Sequence, residues 1–151
     1  MNVIKLVKTT EVLIRDLMKK IVAIKEETKI EEMLEILKKE KIILIPIVDK
    51  NNALIGTVTE QDLIKLIKSE PTSPLAGTVW SDIINKSQKD KAVKEIMSTT
   101  IISISPNDSI DSALKMMNNY NLRVLTVIDS ENKLVGVIRL RDIFERFLKE
   151  E

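Results

Sequence analysis

The sequence predicts a mixed α/β (α+β) chain made of two β-α-β-β-α repeats, related by a pseudo-twofold axis and packed through their sheets. Three observations lead there. The chain aligns with itself at an offset of 80 residues, the hydrophobic period changes in the same order in both copies, and 151 residues suit one domain or two small ones sharing a core. The offset places Ile24 to Ile64 on Ile104 to Phe144 without a gap, with identities at Ile24/Ile104, Ile30/Ile110, Leu34/Leu114, Asp49/Asp129, Asn52/Asn132, Leu54/Leu134, Gly56/Gly136 and Asp62/Asp142. Upstream, Ile14-Arg15-Asp16-Leu17-Met18 matches Val93-Lys94-Glu95-Ile96-Met97 once one extra residue is allowed before Ile101. A solenoid stacks three or more shorter units, so two copies at this period indicate a duplicated domain. The result is one module over 1–151, with repeat one at about 12–67, a linker at about 68–91 and repeat two at about 92–149.

The elements follow in order. Val22-Ala23-Ile24 and Ile101-Ile102-Ser103-Ile104 are short apolar runs of strand type. Thr28-x-x-Glu31 reads as a capping box opening a helix, and Asp108 as the N-cap in the second copy. Ile30, Met33, Leu34 and Leu37 fall at i, i+3, i+4 and i+7, as do Ile110, Ala113, Leu114 and Met117, giving one buried helical face per repeat. Ile42 to Val48 and Leu122 to Ile128 are continuous aliphatic runs, the mark of strands buried on both faces. The clusters Asp49-Lys50-Asn51-Asn52 and Asp129-Ser130-Glu131-Asn132 are turns, so Leu54 to Val58 and Leu134 to Ile138 return as second strands of hairpins. Helices begin near Asp62 and Asp142, with Leu63, Ile64, Leu66, Ile67 and Ile143, Phe144, Phe147, Leu148 as their apolar faces. Ser69-Glu70-Pro71-Thr72-Ser73-Pro74 reads as linker, and Trp80 as a packing residue. Pro46 restricts its strand, while its counterpart is Thr126.

Composition excludes much chemistry. With no histidine and no cysteine there is no Cys/His zinc site, thiol nucleophile, disulfide or Ser-His-Asp triad, so an enzyme is not expected. Glu26, Glu27, Glu31 and Glu32 spread around a helical turn and form no metal site. The 24 Lys+Arg against 23 Asp+Glu leave a charge of +1, which disfavours general nucleic-acid binding. The longest apolar run, Ile42 to Val48, is too short to span a bilayer, and Met1-Asn2-Val3-Ile4-Lys5 has no signal-peptide pattern, so a cytoplasmic location is expected.

A duplicated β-α-β-β-α unit ending in Gly-h-h-Thr-x-x-Asp resembles the CBS domain, first found in cystathionine beta-synthase. The first copy reads Ile45-Pro46-Ile47-Val48-Asp49, then Leu54-Ile55-Gly56-Thr57-Val58-Thr59-Glu60-Gln61-Asp62; the second reads Leu125-Thr126-Val127-Ile128-Asp129, then Leu134-Val135-Gly136-Val137-Ile138-Arg139-Leu140-Arg141-Asp142. Tandem pairs of this kind are Bateman-type regulatory modules. The resemblance implies binding of adenosine compounds, AMP, ADP, ATP or S-adenosylmethionine, in clefts between the repeats, with no obligatory cofactor. It also implies a homodimer joined through helices and an effector on another chain. In the family the aspartate accepts bonds from the ribose hydroxyls and the Thr three residues earlier faces the phosphate. Carried over, this names Thr59 and Asp62, with Gly56 on the same strand, Arg123 at the phosphate, and Ile102 in the apolar strand under the adenine.

The second position departs from that pattern. It keeps Asp142, but Arg139 replaces the Thr and Ile43 replaces the basic residue. Arg139 either binds phosphate or blocks the position by reaching Asp142. The bland alternative for Thr59-x-x-Asp62 is a capping pair that satisfies free backbone N–H groups at a helix start. The alternative function, which needs no nucleotide, is a ligand-free dimerisation or scaffold module.

Overall fold

Aliphatic runs become the central strands in both copies. The computed structural model describes residues 12–40, 44–66, 84 and 86–148, and Trp80, the Ser69 to Pro74 linker, Ile42 and Ile67 lie outside them. In chain order the elements are α1 (Ile14–Leu17), β1 (Ile24–Lys25), α2 (Ile30–Glu40), β2 (Leu44–Val48), β3 (Leu54–Thr59), α3 (Glu60–Leu63) with a 3-10 turn at Ile64–Leu66, and α4 (Lys86–Lys89). A second 3-10 turn at Val93–Glu95 precedes β4 (Ser103–Ile104), α5 (Ile110–Tyr120), β5 (Val124–Ile128), β6 (Leu134–Arg139) and α6 (Leu140–Leu148). The strands form two three-stranded sheets, β1-β2-β3 and β4-β5-β6, so the mixed α/β class and the β-α-β-β-α order are those the sequence predicts.

In each sheet the aliphatic run is the middle strand, parallel to the short strand before it and antiparallel to the one after it. Both hairpins turn in the same way. Asp49 Oδ1 accepts from the N–H groups of Asn51 and Ala53 at 2.8 and 3.0 Å, and Asp129 Oδ1 accepts from Glu131 and Lys133 at 2.9 and 3.0 Å. Asn52 and Asn132, both at φ 65°, take the left-handed residue that closes each turn, a conformation asparagine tolerates better than most side chains.

The chain forms two units, Val22–Ile101 and the residues up to Ile21 together with those from Ile102 on. They are called here the Asp62 unit and the Asp142 unit. The opening segments change places with respect to sequence order. Backbone bonds Ile14 N–H to Asp108 O (2.9 Å) and Ile110 N–H to Val12 O (2.9 Å) put α1 in the Asp142 unit. Val93 N–H to Thr28 O (2.8 Å) and Ile30 N–H to Lys91 O (2.9 Å) repeat the arrangement in the Asp62 unit. Each core therefore includes apolar residues from a segment that precedes the other copy in sequence. Ile14 joins Ile104, Ile110, Leu125, Val127, Ile138 and Ile143, and Val93 joins Ile24, Ile30, Met33, Ile45, Ile47 and Val58.

Two helix starts differ from expectation. α2 begins at Ile30, two residues after Thr28, and its first N–H is satisfied by Lys91 rather than by a Thr28 side chain. In the second copy the N-cap is Ser109, whose hydroxyl accepts from Ser112 N–H at 3.2 Å, while Asp108 turns back to accept from Ser105 N–H at 3.0 Å. Asn107, Asp108 and Ser109 are all cap-capable, and the bond from Ile14 to the Asp108 carbonyl fixes which one stands at the helix start.

Gly56 and Gly136 are where the opening segments reach the sheets. Ser98 exchanges two backbone bonds with Thr57, and Lys19 exchanges two with Val137. A Cβ on Gly136 would stand 2.7 Å from the Lys19 carbonyl oxygen, and one on Gly56 would stand 2.7 Å from Met97 Sδ and 2.9 Å from Ser98 O. Gly136→Ala is expected to cost about 1–3 kcal/mol, because backbone must shift to admit the methyl group. Thermal denaturation should show Tm lowered by roughly 2 to 12 °C; an unchanged Tm would contradict the close approach.

Candidate functional site

Strand register decides which residues share an end of each sheet. Thr59 pairs with Leu44, so the end of β3 and the start of α3 lie where β2 begins. In the other sheet Arg139 pairs with Val124, and the parallel pair Ser103 and Thr126 brings the start of β4 to the same end. Ile102, Arg123, Arg139 and Asp142 are thereby grouped at one end of the Asp142 unit. The Ile102 carbonyl accepts from Thr126 Oγ1 at 3.4 Å, and the exposed Arg123 holds the start of α6 through its carbonyl, which accepts Leu140 N–H at 2.8 Å. Thr59 and Asp62 stand together in the Asp62 unit. Gly56 does not join them, since it pairs with Ile47, about 10 Å down the strand, and the space above it is filled by Met97 and Ser98.

The two aspartates are both buried, at 7% and 8% exposure, and a buried carboxylate is costly unless bonded and balanced. The copies solve this differently. Asp62 Oδ2 accepts from the Thr59 N–H at 2.9 Å and the Thr59 hydroxyl at 3.2 Å, which is the capping arrangement foreseen for this pair. Oδ1 takes the Lys65 ammonium at 3.1 Å, and Lys65 also donates to the Ile96 carbonyl at 3.3 Å. Lys65 is the contributor that sequence reading passed over. Its signal was the i+3 spacing from Asp62 together with Glu145 at the matching place in the second copy, a reversal of charge.

Asp142 is held by its own Arg139. Nε donates to Oδ2 at 2.6 Å and Nη2 to Oδ1 at 2.9 Å, a two-point fork that engages both carboxylate oxygens. Of the two roles open to Arg139, the side chain is in the one that reaches Asp142. The hydrogen bond to Asp142 raises the guanidinium's pKa above its ordinary value, desolvation opposes this, and the charges of Asp142 and Glu145 add to the rise. The cation is permanent at any working pH.

Helical support differs too. α3 is four residues long before it tightens into the 3-10 turn, whereas α6 runs nine residues. A groove of about 420 Å³ lined by Ser103, Ser105, Asn107, Asp108, Asp129 and Ser130 lies beyond the far end of β5, away from Arg123 and Arg139. Among the described residues no cluster of acidic side chains could hold a metal ion, and no buried side-chain nitrogen or oxygen lacks a partner. No described helix is long and apolar enough to cross a membrane.

The CBS domain family model matches residues 14–69 and 93–149. Protein MJ1426 of Methanocaldococcus jannaschii is 27% identical over 154 residues, covering 90% of this chain and 91% of that protein. Inosine-5'-monophosphate dehydrogenase of Aquifex aeolicus is 31% identical over 126 residues, 83% of this chain, but the chain spans only 22% of that enzyme. The crystal structure of the CBS domain pair of protein MJ0100, in complex with 5'-methylthioadenosine and S-adenosyl-L-methionine, superposes with a TM-score of 0.69 at 25% identity, over 93% of this chain and 98% of that one. Two matched repeats and a shared fold over nearly the whole length place this chain in the CBS domain family, as a tandem pair.

Proposed function

We propose that the chain is a regulatory module that binds an adenosine nucleotide, AMP, ADP or ATP, or S-adenosylmethionine, and passes its state to a partner protein. The observation that carries this reading is Asp62, a buried carboxylate at a strand-to-helix junction, steadied by Thr59 and balanced by a lysine. The two ligands of the MJ0100 pair share adenosine, and the part of adenosine that suits a carboxylate is the ribose diol, two adjacent hydroxyl donors. A carboxylate has roughly four acceptor positions, and three donors stand on Asp62. Lys65, with its side chain 57% exposed, is the donor free to withdraw into water when the diol arrives. In the same reading Ile102 lies under the adenine and Arg123 serves a phosphate. Regulation then requires that the ligand bind one arrangement of the module better than another.

A thermal-shift experiment with AMP, ATP and S-adenosylmethionine tests the reading. Ligand at 100 times its dissociation constant should add about 2.7 kcal/mol and raise Tm by roughly 5 to 10 °C. No shift with any of the three would sink it. One observation favours the ligand-free scaffold instead: Tyr120, Phe144 and Leu148 are 58%, 54% and 74% exposed on α5 and α6, apolar surface suited to a second copy or a partner. Under that reading light scattering would give a dimer and no compound would move Tm.

A further inference from the structure

We propose that Arg139 closes the second ribose position, so that the chain binds one adenosine ligand and not two. This rests on the ribose reading of Asp62. The two aspartates are 80 residues apart at matching places, both buried, both at the start of a helix. They differ in what a ligand would have to displace. At Asp62 the cation makes a single contact, Lys65 Nζ to Oδ1 at 3.1 Å, and the remaining donors lie on the other oxygen. At Asp142 the guanidinium edge formed by Nε and Nη2 engages both carboxylate oxygens, with one donor on each at 2.6 and 2.9 Å. A ribose diol would use that same carboxylate edge. Its donors are neutral, so a diol in place of the fork would leave a buried carboxylate without its cation, and the diol does not dislodge the fork.

Nor can Arg139 leave without consequence. The i+3 position that gives Asp62 its lysine holds Glu145 in the second copy, so departure of Arg139 would leave a buried carboxylate without the cation it now pairs with and with no lysine one helical turn on to replace it. Arginine at the threonine position and glutamate at the lysine position are therefore one coupled change. The cation has moved from the helix side of the aspartate to the strand side, where it covers the ligand edge.

The coupled exchange supplies the test. Arg139→Thr with Glu145→Lys rebuilds in the second copy the Thr-x-x-Asp-x-x-Lys arrangement of the first, keeping one cation for the buried carboxylate. Isothermal titration with adenosine, which carries no phosphate and so does not need the basic residue that Ile43 replaces, should give one ligand per chain for the wild type, none for Asp62→Ala, and two for the double variant. A folded double variant that still takes one ligand overturns the closure, as does a wild type that takes two or an Asp62→Ala chain that still takes one. A wild type that takes none beside a double variant that takes one overturns the Asp62 reading and leaves Arg139 as the closure. No binding by any of them overturns both.

Discussion

Replacing Asp62 by alanine should remove adenosine binding altogether. The carboxylate is expected to accept both ribose hydroxyls, and bonds to a charged group contribute about 1.5–3 kcal/mol each, so losing the pair weakens binding about 100-fold or more. The thermal shift given by AMP in the wild type should vanish. Alanine also removes the acceptor for the Thr59 N–H and the partner of Lys65, which costs the fold about 1 kcal/mol. Asp62→Asn separates the two effects. The amide keeps one oxygen for the Thr59 N–H but offers no second one to the diol, so it should fold nearly as the wild type and still fail to bind. An Asn variant that binds AMP normally would refute the role given to Asp62.

The largest effect on stability is expected from Ile14→Ala. A four-residue helix close to the start of a chain is an ordinary place for fraying, yet Ile14 is fully buried in the core of the Asp142 unit. Truncating a buried isoleucine costs about 2–5 kcal/mol, and thermal denaturation should show Tm lower by roughly 4 to 20 °C. Ile64, at 58% exposure on the 3-10 turn, is the contrast, and Ile64→Ala should change Tm little. If Ile14→Ala also leaves Tm unchanged, α1 is not part of that core.

These variants mark the boundary of what could be read without coordinates. The 80-residue repeat, the aliphatic middle strands, the Asp49 and Asp129 turns and the glycine pair were legible because each is a local pattern. The exchange of opening segments was not, because hydrophobic spacing tells that Ile14 and Val93 are buried but not against which sheet. The glycines carried part of that information. Their conservation of place across 80 residues signalled a close approach, and the approaching groups are Ser98 and Lys19, one from each exchanged segment. Thr59, Asp62, Arg139 and Asp142 are candidates through the resemblance to the CBS motif, which the repeat made visible. The Arg139–Asp142 contact stood as one of two alternatives, but how Asp62 is neutralised was not legible, and Lys65 shows both the omission and the clue that was present.

The most direct measurement is a crystal structure of the full chain grown with AMP. The expected result is one nucleotide per chain with both ribose hydroxyls at hydrogen-bond distance from the Asp62 carboxylate and the Arg139–Asp142 fork intact. A ribose bound elsewhere while Asp62 keeps Thr59 and Lys65 as its only partners, or a chain without nucleotide at saturating AMP, would contradict it.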